Sequence, residues 1–148
     1  MPRDINAQLE TGRTVEATVN GIPIDVEGGK FAIVTIEFGA FSGGSTTLDI
    51  KVQASIDLGV TYHEIASFAQ LGPTNDDDIG DKPARRVVYV PRPETPGTMV
   101  KVRLRYVAAG SSPSYVITRA FLDPMLSMAP LAQDEQNEEG LALLYVVA

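Results

Sequence analysis

The chain has 148 residues, with 12 Lys and Arg against 19 Asp and Glu, a single His, and neither Cys nor Trp. That length suits one domain, and a chain of this size buries enough surface to fold without a disulfide or a metal. Lack of Cys excludes thiol catalysis, thiolate-ligated zinc, iron–sulfur clusters and a disulfide scaffold. The formal charge of −7 argues against nucleic acid as a partner, because phosphate binding needs clustered Lys and Arg. No apolar run approaches a membrane span, and the first eight residues, MPRDINAQ, lack the apolar stretch of a secretory leader. A soluble, single-domain protein is expected.

Apolar and polar residues alternate from residue 13 to residue 122, the period of a half-buried strand. Val15, Ala17 and Val19 alternate with Thr14, Glu16 and Thr18. Asn20-Gly21 then predicts a tight hairpin with a return strand over 22–26. After Gly28-Gly29, the stretch 31–38 sets Ala32, Val34, Ile36 and Phe38 on one face. Phe31 and Ile33 make the other face partly apolar, as in a strand central to a sheet or beneath a partner. A loop over 41–46 leads to the cleanest strand, 48–56, with Leu48, Ile50, Val52, Ala54 and Ile56 inward. Asp57-Leu58-Gly59 turns the chain into a strand over 61–68. Residues 69–85 carry two Pro, two Gly and four Asp without period, and read as an excursion over the surface or onto a neighbour.

A short strand over 86–90 ends at Pro91, Pro93 and Pro96. The next, 99–107, turns Val100, Val102, Leu104 and Tyr106 inward and Lys101, Arg103 and Arg105 outward. A turn at 109–113 precedes the last strand, 115–122. Short strands separated by turn signals predict an all-β fold: a single antiparallel β-sandwich, jelly-roll-like or immunoglobulin-like, of about seven or eight strands.

The ends differ from this body. Residues 1–12 read as an N-terminal arm, 13–122 as the sandwich, and 123–148 as a C-terminal extension. The extension passes through the acidic stretch QDEQNEEG and closes on the apolar LALLYVVA. An apolar strand needs a place to be buried. It packs back on its own domain or adds to a neighbouring subunit by β-augmentation.

Few residues suggest chemistry. His63 stands on a predicted strand between Tyr62 and Glu64, without a nucleophile elbow or a second His. The run Asn75-Asp76-Asp77-Asp78-Ile79-Gly80-Asp81 is rich in oxygen ligands. Its Gly is fifth from Asp76 and the twelfth position is Val87, so the EF-hand spacing is not met and a solvated turn is favoured. The row Lys101, Arg103, Arg105 reads either as cross-strand pairs with acidic residues such as Asp49 or as an intersubunit contact. A sugar site needs aromatic platforms. Most of the five Phe and five Tyr fall in alternating strands, where a core role is expected (Phe31, Phe38, Tyr62, Phe68, Tyr106), leaving Tyr89, Tyr115 and Tyr145. No catalytic group, metal site or cofactor motif is assigned, and an enzyme is not expected.

Three segments carry a resemblance. Residues 52–68, VQASIDLGVTYHEIASF, resemble a hairpin of small tailed-phage virion proteins with the pattern vqaSxDgGxTyxxiasF. Residues 100–114, VKVRLRYVAAGSSPS, resemble the closing strand–turn–strand yvRvrytvaGtsPsf of the same group, and 38–50 is similar to the strand that precedes them. The likeness spans roughly residues 30–122. It departs at Leu58, where a Gly or Ser is common, and in the long acidic loop 69–85.

The resemblance implies a capsid decoration (cement) protein with a β-sandwich fold. Such a protein is made in the bacterial host cytoplasm, binds the major capsid protein on the outside of the shell, and is often a homotrimer. On that reading the interface residues are Arg3, Ile5 and Leu9 of the arm, Lys101, Arg103 and Arg105, and Leu141, Leu143, Leu144, Tyr145, Val146 and Val147 of the terminal strand. The rival expectations are another virion part (neck, tail tip or fibre base) and a carbohydrate-binding adhesin module.

Overall fold

The structure, a computed structural model, describes residues 7–42, 45–72 and 83–124. In chain order the strands are β1 (Gln8–Glu10), β2 (Arg13–Val15), β3 (Val19–Asn20), β4 (Ile24–Val26), β5 (Lys30–Ser42), β6 (Thr46–Ser55), β7 (His63–Ser67), β8 (Ala84–Val90), β9 (Val100–Gly110) and β10 (Ser114–Pro124). They form two antiparallel sheets packed face to face. One has the order β1-β10-β5-β8 with β2 also on β10; the other has the order β3-β9-β6-β7 with β4 also on β9.

This is an all-β sandwich, and its connectivity separates the two architectures left open by the sequence. The pairs β1/β2 and β3/β4 each lie along one strand, β10 and β9 respectively, so the ten strands act as eight. The first of these pairs with the last, and the chain changes sheets between β2 and β3, β4 and β5, β5 and β6, β7 and β8, β8 and β9, and β9 and β10. An immunoglobulin-like sandwich instead keeps its first two strands side by side in one sheet. The arrangement here is that of a jelly roll.

The sandwich is built on the alternation of β6 and β9, paired over ten residues from Thr46↔Gly110 to Ser55↔Lys101. Leu48, Ile50, Val52 and Ala54 from β6 and Val100, Val102, Leu104 and Tyr106 from β9 are buried against Ala32, Val34 and Ile36 of β5 and Ile117, Ala120 and Leu122 of β10. Each buried Val, Leu or Ile side chain contributes about 1.5–3 kcal/mol. β5 runs between β10 and β8, a central strand whose outer face still carries the apolar Phe31 and Ile33.

Three expectations are corrected. Asn20-Gly21 does not make a hairpin: β3 and β4 run along the same strand in the same direction, with Asn20↔Arg105 and Ile24↔Val102. The Gly21 N–H donates to the Leu104 carbonyl at 2.7 Å, so this dipeptide sits in an irregular edge strand. A Cβ at Gly21 would lie 3.2 Å from that carbonyl oxygen, a tight contact that a larger residue could make only by shifting the ladder slightly. The sandwich also reaches beyond 13–122, because β1 pairs with β10 (Gln8↔Phe121) and β10 continues to Pro124. Leu9, expected on an interfacial arm, is 1% exposed in the domain's own core. The third correction is Phe31, expected in the core and found 45% exposed on the outer face.

Two tyrosines clasp the sheets together from inside. Tyr106 of β9 donates its hydroxyl to Glu10 Oε1 of β1 at 3.1 Å, and Arg13 Nε donates to the same oxygen at 2.7 Å. Tyr115 of β10 donates to the Gly72 carbonyl at 2.8 Å and so accepts from Thr46 of β6 at 3.0 Å. Beside that clasp Gly110 is obligatory: its φ is +103°, and a Cβ would run into the Ser45 carbonyl. Burial, reinforced by the neighbouring Glu10, pushes the Tyr106 phenol far above its ordinary value.

Tyr106→Phe should therefore lower the unfolding free energy by about 1–3 kcal/mol, the cost of leaving a buried acceptor short of its donor. A urea titration checks this, and an unchanged midpoint would show that Arg13 alone satisfies Glu10. A folded-state pKa raised above the unfolded one makes the Tyr106 contribution complete below about pH 10 and lost progressively above it. Wild-type stability should fall with pH in that alkaline range more than the variant's does.

Candidate interaction surfaces

The outer face of the β3/β4-β9-β6-β7 sheet is polar and paired within itself. Lys101 Nζ lies 2.8 Å from Asp25 Oδ1, a bond that holds the ammonium above its usual pKa. Arg103 Nε donates to Gln53 Oε1 at 2.9 Å, and its guanidinium stacks 3.7 Å from the centroid of the Tyr62 ring. Arg105 donates to Asn20 Oδ1 at 2.8 Å. The cationic row thus has partners across the strands, although Asp49 is not among them; it accepts from Gln70 at 3.1 and 3.2 Å. Pairs this exposed contribute about 0–1 kcal/mol each. Asp25 neutralises Lys101, whereas Arg103 and Arg105 are held by neutral side chains and keep their positive charge on this face. Tyr62, expected in the core, lies on this outer face under Arg103.

The opposite outer face carries the Arg119–Glu37 ion pair on β10 and β5 and an apolar patch on β5 and β8. Phe31 of β5 stands across from Tyr89 of β8, and Ile33 across from Val87. The Phe31 and Tyr89 rings meet edge to face at 5.1 Å. Phe31, Tyr89 and Val87 are 45%, 45% and 50% exposed, so the cross-strand cluster is half in water. β8 pairs on one side only, with β5, among the described residues. It opens with exposed Arg85 and Arg86, for which no ion pair exists among the described residues. Sequence reading caught the two-sided character of β5 but not its extension onto β8, because strand neighbours so far apart in the chain cannot be read from alternation.

A second apolar feature is the β6–β7 turn. Ser55 Oγ donates to Asp57 Oδ1 at 2.7 Å, the Thr61 N–H donates to the same oxygen at 2.9 Å, and the Gly59 N–H donates to Ser55 Oγ at 2.8 Å. The Ser55 hydroxyl, followed by the Thr61 amide, holds the Asp57 carboxyl below the ordinary aspartate range. The cage fixes Leu58 at φ 64° with its side chain 62% exposed, next to Val60 at 82%. Left-handed backbone at a non-glycine residue costs roughly 1–2 kcal/mol. That geometry is the physical reason a Gly suits this position and Leu58 departs from it.

The remaining site expectations resolve unevenly. Arg3 and Ile5 of the arm, Leu141, Leu143, Leu144, Tyr145, Val146 and Val147 of the terminal segment, and the acidic run 75–81 lie outside the described residues. Tyr115 is fully buried in its clasp, which removes it as a sugar platform, while Tyr89 remains on the surface. His63 begins β7 on an exposed position opposite Ala54. Among the described residues, no three His, Cys, Asp or Glu side chains gather where they could hold a metal ion. A shallow groove at one end is lined by Gly28, Gly29, Arg92, Pro93, Gly97 and Met99. The Glu10–Arg13–Tyr106 cluster is the polar site that sequence reading missed, since nothing in the spacing of Glu10 and Arg13 announces a tyrosine from the other sheet.

No protein-family model matches the chain, and no curated protein sequence is significantly similar to it.

Leu58→Gly should be neutral or stabilising by up to about 1 kcal/mol, as relief of the left-handed strain outweighs the added freedom of the unfolded chain. Gly59→Ala should destabilise, because φ there is +91° and a Cβ would sit 3.0 Å from Lys101 Cδ. Thermal melts of both variants check the pair. A Leu58→Gly protein that melts well below wild type would mean that the exposed leucine contributes packing to the turn.

Proposed function

We propose that this chain is a structural protein of a tailed-phage particle, a decoration protein that binds the outside of the capsid shell and cements neighbouring capsid subunits. The observation that carries the reading is the resemblance of residues 52–68 and 100–114 to the paired segments of small phage virion proteins. In this fold those two segments include the last four residues of β6, all of β7 and all of β9, together with the turns that follow β6 and β9. The resemblance therefore falls on three neighbouring strands of one sheet.

Several physical features support an adhesive role. Inside, the buried polar groups Glu10 and Thr46 are each held by a tyrosine, and Ser55 by Asp57. What the described surface offers is contact: an aromatic and aliphatic face on β5 and β8, and a caged turn that presents Leu58 and Val60. Contiguous apolar surface of this kind marks interaction sites. The partner on this reading is the major capsid protein, with self-association into a trimer, and no nucleic acid or membrane is involved. An acidic protein on the outside of a DNA-filled shell is not drawn onto the nucleic acid. The sugar-binding alternative loses one of its platforms with the burial of Tyr115.

Removing residues 141–148 should weaken attachment to shells that lack the protein, while the sandwich stays folded. Co-sedimentation of purified protein with such shells measures attachment, and a thermal melt measures the fold. Undiminished binding by the truncated protein would remove the terminal segment from the cementing contact.

A further inference from the structure

We infer that the edge of β8 left unpaired among the described residues is the acceptor for the C-terminal segment of a second copy of this chain, which adds as a parallel strand. This inference rests on the adhesive reading of the terminal segment and names the surface that receives it. Three observations converge. β8 is an edge strand of seven residues, ARRVVYV, paired only with β5 among the described residues. A regular apolar edge of this kind is a template for strand addition. Its exposed Val87 and Tyr89 continue into Phe31 on the same face, so an added strand would cover apolar surface as well as backbone groups.

Charge order selects the partner and its direction. β8 reads basic and then apolar: Arg85 and Arg86 precede Val87, Val88, Tyr89 and Val90. The end of the chain reads acidic and then apolar: Glu138 and Glu139 precede Gly140 and LALLYVVA. Laid parallel, the glutamates meet the arginines and the two apolar runs meet each other. Laid antiparallel, the acids would reach the Val90 end and both arginines would stay unpaired. Opposite charges side by side favour the first register and like-with-apolar mismatches disfavour the second.

The same geometry favours a neighbour over the chain's own tail. Pro124 ends β10 opposite Ala32, and Ala32 is opposite Val88. The described part of β10 therefore ends level with the Val88–Val90 end of β8. A parallel strand must enter at the Ala84 end, so the chain's own tail would have to travel back along the whole of β8 before pairing. A tail from a second copy needs no such reversal. Donation from each copy to the next is a head-to-tail contact, and such contacts close into rings when the rotation permits.

Cysteine cross-linking tests this directly, because the chain has no cysteine of its own. One full-length protein carries Val87→Cys, and a second carries Leu141→Cys or, for a register one residue away, Gly140→Cys. Mixed with a mild oxidant, the two should form a disulfide-linked dimer at least about tenfold faster than a control pair with Val60→Cys in place of Val87→Cys, reflecting the raised local concentration. Arg85→Glu with Arg86→Glu in the acceptor should abolish that excess, and Glu138→Arg with Glu139→Arg in the donor should restore it. Rescue by double reversal is a result that mere damage to folding would not give. Two outcomes overturn the inference: a rate no greater than the control, or a bond that forms only within a single chain carrying both substitutions. Either would leave attachment to capsids, measured separately by co-sedimentation, free to stand or fall by itself.

Discussion

A carboxylate buried between two apolar sheets is the costliest group in this sandwich, and the way Glu10 is satisfied constrains the rest. Its side chain accepts from Arg13 on its own sheet and from Tyr106 on the other. Leaving such a group short of partners would cost several kcal/mol, so the register of β1 on β10 and the depth of Tyr106 in the core are set together. The second clasp, Thr46 with Tyr115 and the Gly72 carbonyl, does the same beside the Gly110 turn. Hydrophobic burial drives the sheets together without direction. These polar bonds fix how the two faces meet.

The parts of this architecture that were legible in the sequence are local. β6 and β9 alternate cleanly because each has one face in the core and one in water, and their inward residues are the ones expected. Pairings between distant strands were not legible. Nothing local says that β1 joins β10, or that β8 lies beside β5, because alternation reports which face is buried and not which strand is adjacent. Asn20-Gly21 misled for a related reason. It is a strong hairpin signal by composition, but the tertiary ladder with β9 holds the chain straight through it. Leu9 was assigned to an arm since three residues of strand are too few to show a period.

The surfaces divide by chemistry in a way that bears on function. On one face Lys101 is paired with Asp25, while Arg103 and Arg105 are held in place by the neutral side chains of Gln53, Tyr62 and Asn20 and keep their charge. On the other, Phe31, Val87 and Tyr89 remain half exposed beside an edge strand that begins with two arginines. A cement protein needs surfaces of the second kind, because adhesion without catalysis draws its free energy from apolar contact and added backbone bonds. The proposed role joins this asymmetry to the resemblance in the β6–β7 and β9–β10 segments.

The claim on which the functional account turns is that the protein is a lattice component of a particle. Quantitative mass spectrometry of purified particles, giving the copy number of this chain relative to the major shell protein, tests it most directly. The account predicts a ratio of the same order as the shell protein. A handful of copies per particle would contradict cementing and move the protein to the neck or tail, and absence from particles would contradict the virion assignment altogether.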